Sequence, residues 1–337
     1  MVSKEFIFQI PKAELHLHLE GTLEPDLKLE LAKKNNIDIG QSTIEEVEAS
    51  YQFNDLTSFL AIYYPAMDVL QTREDFYKLA MAYLKKVSQE HNVRYAELFF
   101  DPQAHTSRGV SFETLFEGYH QAVVDGEAQY GIKSQLIMCF LRDLSEESAF
   151  EHYEMAKPYF DRIAGIGLDS DERDNPPRKF ERIFKQAKSD GFKITMHCDI
   201  DQDGSIDHIR DVLKVIQADR IDHGTNIVED PSLVEYVKDK GIGLTCCPVS
   251  NSFVTDDMKA KEIKQLLNQG VRVTVNSDDP AYFQSYVSDD LYALAQKVDL
   301  TQEEVVQLVK NAFEIAWISD EDRQRHLEEI DQFVAEY

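Results

Sequence analysis

Glu14-Leu15-His16-Leu17-His18-Leu19-Glu20-Gly21 reads as the end of an apolar β-strand that carries two histidines one residue apart. In a strand, residues i and i+2 point to the same face. His16 and His18 therefore converge on one point, as a pair of metal ligands does. Taken alone, the pair reads equally well as two buried, hydrogen-bonded histidines. Three later features favour ligands: His197 ending an apolar run, His223 in Arg-Ile-Asp-His-Gly, and Asp278 in Val-Thr-Val-Asn-Ser-Asp-Asp-Pro.

The strand that carries the pair is the first of eight similar runs. Ala13–Leu19, Val93–Phe100, Lys133–Leu141, Ile163–Leu168, Lys193–His197, Arg220–His223, Gly243–Pro248 and Val271–Asn276 are short, β-branched or apolar. Most are followed by a longer stretch with helical spacing, such as Asp207–Gln217 or Pro231–Lys240, the latter with proline at its start and Gly241 just past its end. Strands alternating with helices argue for a parallel sheet. Eight such units predict an α/β fold, a (β/α)8 TIM barrel, formed by residues 1–337 as a single domain. Residues of about 25–90 hold amphipathic helical stretches and no strand, so they read as a helical insertion over the barrel mouth. Beyond Thr301 two more helices follow, opened by the capping box Thr301-Gln302-Glu303-Glu304.

Composition narrows the partners. The chain has 337 residues, 43% hydrophobic, and a net charge of −27 from 35 Lys+Arg against 62 Asp+Glu. A field of that sign repels nucleic-acid backbones and acidic membrane surfaces. No run approaches the roughly 18 apolar residues a membrane span needs, and the start lacks a secretory apolar region. Cys139, Cys198, Cys246 and Cys247 lie in or at the ends of apolar runs without zinc-knuckle or redox spacing, as expected of buried free thiols in a cytoplasmic protein. The partner is expected to be a small molecule, with a homodimer left open.

In TIM barrels, reactive groups stand at the C-terminal ends of the strands. His16 and His18 end the first run, His197 the fifth, His223 the sixth, and Asp278 follows the eighth, so all fall on one face. Neutral imidazoles and a carboxylate suit Zn2+ with a position left for water. Such a metal lowers the pKa of its water towards about 7 and supplies hydroxide, which His223 and Asp278 would orient and relieve of its proton. His91, His120, His152, His208 and His326 lie in helical or polar segments and are expected to be solvated. His105 follows the second strand and could line the mouth. The run Asp199–Gly204 imitates the start of a calcium loop but has Arg210 where the loop needs Glu, so Asp203 or Ser205 is expected to cap the next helix instead.

Pro11-Lys12-Ala13-Glu14-Leu15-His16-Leu17-His18-Leu19-Glu20-Gly21-Thr22-Leu23 resembles the opening of the adenosine/adenine deaminase family of the amidohydrolase superfamily. Arg220-Ile221-Asp222-His223-Gly224, Cys247-Pro248-Val249-Ser250-Asn251, Asn276-Ser277-Asp278-Asp279-Pro280 and Gly167-Leu168-Asp169-Ser170 extend the likeness over nearly the whole chain, closest to the bacterial adenine deaminase-like group. The resemblance implies one zinc per chain held by His16, His18, His197 and Asp278, with His223 assisting hydroxide attack at C6 of the base. It implies that Asp279 bonds a purine ring nitrogen, that Glu20 stands where nucleoside-acting relatives carry a shorter Asp near the ribose, and that Gly167 offers its amide to the purine edge. The expected reaction converts adenine, or an N6-substituted adenine-type base, to hypoxanthine.

One departure bears on the chemistry. The family's His-Ala-Gly-Glu reads here His197-Cys198-Asp199-Ile200, and Ile200 cannot donate the proton the Glu gives the ring. General acid catalysis is worth about 10²–10⁴-fold. Asp199 or Asp201 is the candidate replacement. Two alternatives stay open: hydrolysis of a different substrate by metal hydroxide and Asp278, and a catalytically weakened purine-binding relative.

Overall fold

The computed structural model describes residues 2–198 and 202–337. Asp199, Ile200 and Asp201 therefore lie outside the described residues, and with them the candidate replacement acids. Eight parallel strands pair in chain order: β1 (Lys12–His18), β2 (Val93–Phe100), β3 (Lys133–Leu141), β4 (Gly165–Asp169), β5 (Lys193–Cys198), β6 (Arg220–His223), β7 (Gly243–Cys246) and β8 (Val273–Val275). Helices follow the strands and pack outside them, giving the expected TIM barrel. The strands pack nearly buried on both faces, as parallel sheets covered by helices do.

The barrel closes differently from its other seams. Between β8 and β1 there is only a bridge of Leu17 to Asp278, with the His18 amide donating to Asp278 O at 3.0 Å and the Asp278 amide to His16 O at 3.2 Å. Side chains complete the join. Asn276 Oδ1 accepts from the Leu15 amide at 2.8 Å, and Glu14 Oε1 accepts from the Ser277 amide at 2.8 Å. Asp278 is thus held by its own backbone between the two histidines of β1.

The insertion after β1 comprises the helices Pro25–Asn35, Ile44–Ala49, Leu56–Ala66 and Arg73–Glu90. Asp55 caps Leu56–Ala66 through the Ser58 amide at 2.7 Å, and that helix lays Leu56, Phe59, Leu60, Tyr63 and Tyr64 over the barrel mouth. Its rings pack on Tyr282 and Phe283 beyond β8, a cluster separate from the main core. At the C-terminal end, Thr301 and Glu304 form the predicted capping box of Gln302–Ile315, and a last helix spans Asp320–Glu336. No helix among the described residues is long and apolar enough to cross a membrane.

Several local expectations are corrected. Neither Asp203 nor Ser205 caps the helix after β5. Gly204 does, at φ 78°, and its α-helical part Ser205–Asp211 runs into a π-turn at Val212–Ile216. Pro248 starts a helix rather than ending β7, as a proline at a first helical position does. His91, His152 and His326 are buried, not solvated. The His91 ring stacks on Tyr286, the His326 ring on Phe313, and His152 bonds Thr106 at 2.6 Å. All four cysteines are buried, and none forms a disulfide among the described residues.

Candidate active site

At the C-terminal mouth of the barrel, β1 supplies His16 and His18, β5 supplies His197, and the turn after β8 supplies Asp278. All four side chains are buried. Asp278 Oδ1 lies 3.1 Å from His16 Nε2 and 3.2 Å from His18 Nε2, and His18 Nε2 lies 3.1 Å from His197 Nε2. The Nδ1 of His197 stands 3.0 Å from Leu168 O, an atom that can only accept, so that nitrogen carries the proton and Nε2 is a bare lone pair. Ligands about 2.0–2.1 Å from a tetrahedral zinc are separated by roughly 3.3 Å, close to these spacings. Among the described residues, His16, His197, His223 and Asp278 offer ligand atoms that all lie within 4.8 Å of one another, and His18 groups instead with Asp278 and Asp279 or with Asp101 and Asp169, so the mouth holds donors that could bind a metal ion.

The charges around it agree. Burial works against a proton on His18, but Asp279, Asp278 and Asp101 outweigh it and push the imidazole up to about 10. Burial raises Asp279 well above the carboxylate range, with Asp278 beside it adding to the effect. Burial likewise pushes Asp169 up to about 8, and raises Asp101, which Asp169 and Glu20 oppose further. The mouth crowds carboxyl groups that oppose one another's ionisation.

His223 and Asp278 both occupy the left-handed region, at φ 59° and 64°. For side chains of this kind that costs about 1–2 kcal/mol each and is kept where surrounding structure enforces it. The turn brings His223 Nε2 to 3.7 Å from Asp278 Oδ2. Burial, aided by His16, holds His223 down at about 4, so its imidazole is neutral. Ser250 donates to Asp278 Oδ2 at 2.7 Å, which leaves Oδ1 to the histidines.

The cavity above these groups is lined by His18, His197, His223, Asp278 and Asp279, by the roof of Leu56–Ala66, and by Asp101, Asp169 and Ser170 at the ends of β2 and β4. Asp279 Oδ1 is buried with no hydrogen-bond partner among the described residues. Two expected contacts are not in this lining. Gly167 lies within β4 opposite Cys139, where a Cβ would come 2.6 Å from the Cys139 Sγ, so packing explains the glycine and the strand end reaches the cavity through Asp169 and Ser170. Glu20 stands behind Asp101. Its Oε1 accepts from His105 at 2.7 Å, Tyr119 at 3.1 Å and the Asp101 amide at 3.4 Å. His105 is itself fully buried between Glu20 and Arg108, not at the mouth.

Asp101, Asp169, Ser250 and Asp222 were missed in the sequence. Asp101 and Asp169 carry the same signal as the histidines, a polar residue ending an apolar strand. Asp222 was hidden by its neighbour His223.

The adenosine deaminase family profile matches residues 11–333. An uncharacterized deaminase of Schizosaccharomyces pombe is 48% identical over 335 residues, covering 99% of this chain and 98% of its own. An adenine deaminase of Psychrobacter cryohalolentis is 47% identical, with 98% and 99% covered. Among solved structures, the adenine deaminase of Arthrobacter aurescens superposes with a TM-score of 0.92 at 40% identity, covering 97% of this chain and 99% of that one. With a barrel of this topology and a histidine–aspartate cluster at its mouth, the chain belongs to the adenosine deaminase family, as a hydrolytic deaminase acting on C–N bonds.

Proposed function

We propose that this protein is a zinc-dependent aminohydrolase that takes adenine, or an N6-substituted adenine-type base, to hypoxanthine. The observation that carries the reading is the row His16 Nε2, Asp278 Oδ1, His18 Nε2 and His197 Nε2, each 3.1–3.2 Å from the next, on the floor of a roofed cavity. Relatives 45–47% identical over nearly the full length bear the name adenine deaminase. One zinc per chain would be held by His16, His18, His197 and Asp278. When bound, it would act as a Lewis acid and make water a nucleophile near neutral pH.

The chain's own residues divide the remaining work. Asp279, next to the ligand Asp278, lines the cavity and holds a purine ring nitrogen, its raised carboxyl suited to donating the hydrogen bond. His223, neutral and beside Asp278, takes the proton from the attacking water. The new bond is from water oxygen to C6, the broken bond is from C6 to the exocyclic nitrogen, and the departing group leaves as ammonia or an amine. Phe59, Tyr63, Tyr64 and Phe283 exclude bulk water, which strengthens each electrostatic contact. Glu20 acts at one remove, fixing the Asp101 backbone. A proton for the ring comes from Asp199 or Asp201, since Ile200 replaces the acid.

The test follows ammonia or amine release by zinc-loaded protein from adenine, adenosine and N6-methyladenine. Turnover of adenine or the methylated base, lost on chelation and in His223→Ala, is expected. Silence on all three from a metal-replete sample would overturn the reading in favour of a different hydrolysis or a binding protein.

A further inference from the structure

Asp222 is a carboxylate at the centre of the barrel, fully buried one residue before His223. Its register pairs it with His197 on β5 and Thr245 on β7. A buried charge is retained only where it is bonded or does work. Asp222 Oδ1 accepts from Thr195 Oγ1 at 2.7 Å and from Thr245 Oγ1 at 2.8 Å, while Oδ2 stands 3.5 Å from His197 Nδ1.

The direction of these bonds follows from proton counting. A carboxylate can only accept, and a threonine hydroxyl has a single proton to give. Thr245 spends that proton on Asp222. Its oxygen also lies 2.9 Å from His16 Nδ1, and at that contact it can only accept. His16 must therefore carry a proton on Nδ1, which in the neutral imidazole leaves Nε2 as a bare lone pair 3.1 Å from Asp278 Oδ1. In that state two acceptors face each other across the gap, a place for a cation. Without Thr245 and Asp222, the imidazole could move its proton to Nε2, bond Asp278 directly, and fill the place the cation needs.

We propose that Asp222, acting through Thr245, is a positioning residue that fixes the tautomer of His16 and presets the histidine cluster for a divalent cation. The inference rests on the reading of that cluster as a metal site. Asp222 also lies within 4 Å of two of the ligands, 3.9 Å from His16 Nδ1 and 3.5 Å from His197 Nδ1, and places a negative charge beneath them. Partners of this kind typically carry a 10–100-fold share of metal affinity.

The experiment measures zinc affinity by competition with a chromophoric chelator, on full-length protein stripped and refilled, for the wild type, Thr245→Val, Asp222→Asn and Thr195→Val. Thr195 touches Asp222 but not His16. Thr245→Val and Asp222→Asn are expected to bind zinc about 10–100-fold more weakly with folding transitions retained, and Thr195→Val within about threefold of the wild type. Nitrogen-15 shifts of the stripped proteins should place the His16 proton on Nδ1 in the wild type and on Nε2 in Thr245→Val. Thr245→Ser keeps the hydroxyl and should rescue both readouts, which also covers a Valine variant that fails to fold. Wild-type affinity in Thr245→Val, or an equal loss in Thr195→Val, would overturn the inference. A wild type that binds no zinc would overturn the metal-site reading itself.

Discussion

Gly21 lies in the short 3-10 turn Leu19–Thr22 after β1, and its backbone is not left-handed, so alanine is conformationally allowed there. The obstacle is Asp279. A Cβ on residue 21 would come 2.0 Å from Asp279 Oδ1 and 2.7 Å from both its Cα and Cγ. Restoring an ordinary contact of 3.4 Å requires the Asp279 backbone to yield by 0.7 Å and the carboxylate oxygen by 1.4 Å. The backbone has little room, because the preceding residue is tied to both histidines of β1. Overpacking of this kind costs about 1–3 kcal/mol of stability. A misplacement of about 1 Å in a substrate-positioning group costs about 10²-fold in rate. Gly21→Ala is therefore expected to lose about 10²-fold in kcat/KM for adenine, measured per zinc-loaded molecule to separate any effect on Asp278. Asp279→Ala provides the comparison, and the double variant should be little worse than Asp279→Ala alone, since both changes act through one side chain. Wild-type kcat/KM in Gly21→Ala, or a double variant whose loss is the product of the two singles, would refute the reasoning.

Ile200→Glu is expected to raise adenine deamination, because it returns an acid to the place where relatives carry one, and an unchanged or lower steady-state rate would assign the donor elsewhere. A separate expectation concerns pH and folding. Burial, with Lys12 and Lys86 nearby, holds His91 at about 4, against about 6.5 in an unfolded chain. Above pH 6.5 both states are neutral and nothing is lost. Between pH 6.5 and 4 the unfolded chain takes up the proton and the folded one does not, so folding stability falls, by up to about 3 kcal/mol from this residue. His91→Phe should flatten that part of the pH profile in urea titrations, and an unaltered slope would show that the ring is not neutral in the native state.

The barrel was readable because its strands are the apolar runs and its helices the longer periodic ones. Val93–Phe100, Lys133–Leu141 and Arg220–His223 begin and end where the runs do. β1, β4 and β5 are offset from their runs by one or two residues, while β7 and β8 stop short where a proline or a side chain takes over the backbone's bonding. Asn276 turns its amide oxygen to Leu15, and Pro248 opens a helix. The polar residues brought together at the mouth were also visible, since each stands at a strand end. What sequence could not give was the partner across the fold. His105 looked like a mouth residue, but it donates its hydrogen bond to Glu20, 85 positions earlier. That Gly167 must be glycine is set by Cys139, 28 positions away, whose Sγ fills the space where a side chain would be. Histidines in polar helices looked wet because their aromatic neighbours, Tyr286 and Phe313, lie on other elements.

The seam between β8 and β1 has a consequence for the order in which the protein is made. His16 and His18 leave the ribosome well before Asp278, which stands between them and comes 260 positions after His18. At about 5–20 residues per second, that interval is roughly 13–50 s. Until the segment that begins at β8 arrives, β1 lacks the amide and carbonyl of Asp278 on its open edge as well as the carboxylate beside its histidines. Closure of the barrel and completion of the ligand set are then one event. A nascent chain that lacks this segment therefore lacks Asp278 among its donors, and the full set forms only once β8 and the turn after it have joined β1.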